Sequence, residues 1–98
     1  MNLTHHPHKL LDLLDRDYLF GPNWYYRVRD KLHKALRLQR PVRFELKDHS
    51  HYGGQVLVQI DGQTQPLTKG KLRWSELTFY GLYPQENPAA RTAVAQAA

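Results

Sequence analysis

The apolar spacing of this chain changes period at Pro41, and that switch does most to limit what it can fold into. Upstream, Trp24, Tyr25, Val28, Leu32, Ala35 and Leu36 fall in one arc about a third of a helical circumference wide. Downstream, Val42, Phe44 and Leu46 alternate with Arg43, Glu45 and Lys47, the two-residue repeat of a half-buried strand. Pro41 enforces the change, because it donates no N–H and restricts Arg40 towards extended backbone. A helix lying on a sheet is the simplest way to bury both apolar faces.

The other elements are placed around this junction. The main helix is predicted to open at Pro22 and run to about Gln39. A shorter one over Lys9 to Arg16 clusters Leu10, Leu11, Leu13 and Leu14, with Pro7 able to begin it. Two turns alone are unstable in water, so this short helix must pack on something. Residues 1–8, with three histidines, a proline and no periodicity, read as a flexible leader. Asp48 to Gly54 supplies a turn, Val56, Val58 and Ile60 share one face of a second strand, and Asp61-Gly62 is a strong hairpin signal. A third strand is predicted from Gln63 to Leu67, with Pro66 marking an edge or bulge. Leu72 with Trp74, and Leu77 with Phe79, read as two short strands joined at Ser75-Glu76, and both Trp74 and Phe79 as buried. The alanine-rich residues 85–98 read as a disordered tail.

Ninety-eight residues suit one core and not two. The fold class is therefore α+β in a single domain over 9–84: N-terminal helices packed on a small, strongly bent antiparallel sheet or SH3-like barrel. Pro66, Gly81 and Pro84 weaken the strand edges, which predicts a monomer or dimer.

Lysine and arginine outnumber aspartate and glutamate by 14 to 9. A surface with that balance attracts phosphate backbones or acidic protein surfaces in a salt-dependent way. The chain has no cysteine, so a disulfide framework and thiolate chemistry are excluded, which suits a reducing compartment. No apolar run reaches membrane-spanning length, and the chain reads as cytoplasmic with no membrane partner.

Helix, then Ala35-Leu36-Arg37, then Arg40-Pro41-Val42, an apolar alternation, a turn, and Tyr52-Gly53-Gly54-Gln55-Val56 leading to Asp61 resembles the opening of an Sm or Hfq-like RNA-binding barrel. The likeness is close over residues 32–61 and looser to about Pro84. It implies that Arg37 and Arg40 stand on the lateral rim through which that family meets RNA. Leu38 occupies the third rim position. Trp74-Ser75 stand where the family has Lys-His, and Gly62-Gln63 where it has Gln-Phe, so the family's uridine pore does not carry over.

The chemistry that remains is binding. Arg29, His33, Arg37 and Arg40 fall together on one flank of the main helix, with Arg43 and Lys47 on the adjoining strand. Such cations can meet successive phosphates. Arg27, Lys31 and Lys34 lie on the helix's far side. Among the aromatic residues near the strands, Tyr80 is the first choice for stacking on a base. The histidines of 5–8 and 49–51 lack the cysteine or carboxylate spacing of a zinc site, and Asp48-His49-Ser50 are neighbours in one turn that cannot form a nucleophilic triad. The sequence thus predicts a non-enzymatic module without cofactor or metal, binding RNA or DNA with RNA favoured. A protein-interaction or inhibitor module of the kind that phages and mobile elements encode, docking on an acidic surface of a larger assembly, is the competing reading.

Overall fold

A computed structural model describes residues 1–16 and 24–84. Along the chain these form β1 (Asn2–His5), α1 (Pro7–Asp15), α2 (Tyr26–Arg37), β2 (Val42–Lys47), β3 (Gly53–Ile60), β4 (Gln63–Pro66), β5 (Leu72–Arg73), α3 (Trp74–Phe79) and β6 (Leu82–Pro84). The protein is α+β, with three helices packed against a six-stranded antiparallel sheet. The path across the sheet is β4-β3-β2-β1-β6, and β5 pairs with the start of β3. Among the described residues the strands do not close into a barrel, so the sheet is open. No described helix is long and apolar enough to cross a membrane.

The β2-β3-β4 meander follows the sequence pattern. Val42, Phe44 and Leu46 are buried and pair with buried Ile60, Val58 and Val56. Asp61 (φ 52°) and Gly62 (φ 81°) form the two-residue turn into β4, both left-handed as a type I′ hairpin requires. Gly53 opens β3 at φ 146° against β5, where a Cβ would sit 1.7 Å from the Leu72 carbonyl oxygen. The buried faces of the strands join Leu10, Leu13 and Leu14 of α1, Val28, Leu32 and Leu36 of α2, and Leu77 of α3 in a single core.

Four expectations are corrected. Residues 2–5 are not part of a loose leader but form β1, hydrogen-bonded to β2 on one side and β6 on the other. Its Leu3 is buried between exposed Asn2 and Thr4, a pattern too short to recognise without its partners. The main helix begins at Tyr26, because Trp24 bridges Thr68 and the Tyr25 N–H donates to the Leu67 carbonyl at 3.1 Å; Pro22 lies outside the described residues. That helix ends at Arg37, before Gln39, whose φ of 56° leaves the helical region. There the Gln39 N–H reaches Leu36 O and the Arg40 N–H reaches Ala35 O, a Schellman ending. Finally, residues 74–79 are α3 and not two strands. Glu76 caps the helix by accepting from the Arg73 N–H at 3.2 Å, and Leu77, three residues after Trp74, turns into the core. Phe79 is then left half exposed, while Trp74 packs at the core margin. The tail over 85–98 lies outside the described residues.

Both outer strands place proline at their open edges. The Leu67 N–H donates to Val56 O at 2.9 Å, and alternation along the ladder then turns residues 64 and 66 outward. The His6 N–H donates to Gly81 O at 3.0 Å, which likewise turns residues 82 and 84 outward. Pro66 and Pro84 therefore remove an outward donor from each edge.

Candidate nucleic-acid interface

The seven residues read from the sequence do not share one surface. Arg43 and Lys47 pair with Gln59 and Gln55 on the sheet face opposite the buried face of β2. They point away from the side on which α2 packs, so no single groove joins them to the helix flank. The His33 Nε2–H donates to the Asp15 carboxylate at 2.7 Å, linking α2 to α1. Arg29 is mostly covered, with its side chain 13% exposed and its guanidinium 3.4 Å from Asp30. Arg37 is exposed. Tyr80 is half-buried, its ring edge-on to Trp24 at 4.9 Å and to Phe79 at 5.2 Å. Burial raises its phenol above the ordinary tyrosine range, as expected for a ring packed against the core.

Arg40 is the exception, because it joins two residues of the helix side that the sequence reading set apart. Lys31, Lys34 and Arg40 line one groove with Ile60, Gln63 and Gln65, about 210 Å³ in volume. Its walls are α2 and the edge strand β4. Helical geometry makes this possible: Arg27, Lys31 and Lys34 are spaced four and three residues apart and form one ridge. The Schellman ending then folds Arg40 back towards the β3-β4 turn, where its guanidinium sits 3.4 Å from the Asp61 carboxylate. Asp61 offsets part of the charge, and three cations against one carboxylate leave the groove cationic. Lys31 and Lys34 have no ion pair among the described residues, so they remain available to an anion.

Beyond the groove, β4 leads to Leu67 and Thr68, which hold Tyr25 and Trp24 by backbone contacts. Helix and edge strand therefore run side by side in opposite directions, from Arg40 at one end to Tyr25 at the other. Thr68 anchors the strand side. It is fully buried, accepts from the Val56 N–H at 3.1 Å and donates to the Gly70 carbonyl at 3.0 Å.

Among the described residues, no three histidine, aspartate or glutamate side chains gather as a metal site would require. His5 packs on Phe44 with ring centroids 5.0 Å apart, and burial lowers its imidazole below the ordinary range. No protein-family model, curated protein or solved structure matches the chain.

Sequence reading leaves Lys31 and Lys34 out of the candidate site although it places both on the helix. Periodicity identifies the buried stripe, but not which flank the edge strand runs beside. The hairpin at Asp61-Gly62 was the available signal. It puts a polar edge strand, with Gln63 and Gln65, directly after the strand that α2 covers.

Proposed function

We propose that this protein is a non-enzymatic nucleic-acid-binding module, with RNA the favoured ligand, that holds a sugar-phosphate backbone between α2 and β4. The convergence of Lys31, Lys34 and Arg40 with the amides of Gln63 and Gln65 in one groove carries this reading. Ammonium and guanidinium groups neutralise phosphates, and the glutamine amides can donate to phosphate or sugar oxygens. A concave cationic wall concentrates a polyanion more effectively than an isolated convex stripe.

The test is fluorescence anisotropy with a labelled RNA across a salt series. Binding should weaken steeply with salt, and Lys31→Ala, Lys34→Ala and Arg40→Ala should each lower the salt slope by about 0.7–0.9 if each meets one phosphate. Arg43→Ala and Lys47→Ala, on the opposite sheet face, should leave it unchanged. Absence of binding to both RNA and DNA at low salt would reject the reading in favour of an acidic protein partner. Equal losses from the opposite-face variants would reject the groove.

A further inference from the structure

We infer that the strand held in this groove is single, and that one of its bases stacks on Tyr25. The inference rests on the nucleic-acid reading above and adds to it the form of the ligand. Tyr25 stands at the end of the track remote from Arg40, fixed to the β4 side by its N–H bond to Leu67 O at 3.1 Å. The residue is nevertheless 38% exposed, although its backbone is tied into the sheet margin. The Lys69 ammonium lies over the tyrosine ring, 5.6 Å from the centroid, so a base stacking on Tyr25 takes the opposite face or displaces the ammonium, whose flexible stem can then carry it to that nucleotide's phosphate.

The two halves of the track thus offer different chemistry. From Arg40 to Lys31 it presents cations and amides, and at Tyr25 it presents an aromatic ring beside a cation. Successive phosphates with a splayed base at one end match that order. In a duplex the bases are paired and stacked inside, and none reaches Tyr25 without being extruded. α2 has 12 residues and is about 18 Å long at 1.5 Å per residue. At about 3.4 Å per nucleotide of a stacked strand, the track spans roughly five nucleotides.

The experiment compares a labelled ten-nucleotide single-stranded RNA, the same RNA with abasic positions, and a ten-base-pair RNA duplex, by anisotropy at one low salt concentration. The single strand should bind at least about tenfold more tightly than the duplex. Tyr25→Ala should weaken its binding by about five- to a hundredfold, as loss of one base-aromatic stack does, and Tyr25→Phe should restore most of the affinity. Wild-type protein should lose the same factor on the abasic strand, where Tyr25→Ala should make no further difference. The abasic strand keeps the inference falsifiable even if Tyr25→Ala perturbs folding. Equal affinity for duplex and single strand, or an unchanged affinity for the abasic strand, would overturn the inference while leaving the phosphate groove standing. Failure of Lys31→Ala and Lys34→Ala to weaken any of the three ligands would overturn both.

Discussion

Replacing Thr68 with valine keeps the shape of a fully buried side chain and removes only its hydroxyl. That hydroxyl accepts from the Val56 N–H at 3.1 Å and donates to Gly70 O at 3.0 Å. It stands at the point where β3 passes from pairing with β4 to pairing with β5. In Thr68→Val the Val56 N–H stays buried with its acceptor gone, at a cost of about 1–3 kcal/mol, and the lost bond to Gly70 adds about 0.5–1.5 kcal/mol. The sum is about 1.5–4.5 kcal/mol, equivalent to a fall in Tm of roughly 6–35 °C for a domain of this size. Thr68→Ser keeps the hydroxyl and loses one buried methyl, worth about 1 kcal/mol. Urea unfolding followed by tryptophan fluorescence is suited to the measurement, since Trp24 bridges Thr68 directly. A valine variant within about 0.5 kcal/mol of wild type, or less destabilised than the serine variant, would refute the assignment of Thr68 as a polar pin.

Leu32 is fully buried at the centre of the α2 face, and Leu32→Ala should cost about 2–5 kcal/mol in urea unfolding. Gln39 holds a left-handed backbone at φ 56°; Gln39→Gly should stabilise by about 0.5–1 kcal/mol, because relief of left-handed strain exceeds the added freedom of the unfolded chain. Burial lowers the His5 pKa below its ordinary 6.5, so the unfolded chain takes up the proton first. The stability from neutral His5 is present above pH 6.5 and lost as pH falls through the lower, folded value. Between about pH 7.5 and pH 5, His5→Asn should therefore lose less stability than wild type.

The parts of this molecule legible in its sequence are those whose signals are local. Val42 to Ile60 announce two strands by alternation, and Asp61-Gly62 joins β3 to β4 within two residues. The α2 stripe was legible for the same reason, while its first turn was not, since Trp24 and Tyr25 are held by Leu67 and Thr68 some forty positions away. β1 escaped detection because a single leucine between polar residues becomes a strand only beside β2 and β6. Residues 72–79 were ambiguous, as Leu72, Trp74, Leu77 and Phe79 fit an interrupted alternation as readily as a helical turn. The candidate site divided in the same way. Arg40 was placed beside the sheet by Pro41, whereas the pairing of Lys31 and Lys34 with Gln63 and Gln65 depends on tertiary handedness. Arg43 and Lys47 were correctly read as the polar face of β2, and it is the side of the sheet that separates them from α2.

The insertion of β1 between β2 and β6 has a consequence for the order in which the protein can assemble. The β2-β3-β4 meander has neighbours close in sequence and can form early, but β2 then presents an open edge until residues 2–5 arrive. β1 in turn lacks its second neighbour until residues 82–84, 79 positions further along, dock beside it. Closing a loop of that length costs about 4 kcal/mol in chain entropy beyond the constant term, and pairings so distant slow folding. Pulse-labelled hydrogen exchange during refolding should accordingly protect the β2-β3 amides before those of β1 and β6, and simultaneous protection would contradict this order. During that interval β2 is the strand edge most exposed to capture by another chain, and neither Pro66 nor Pro84 guards it.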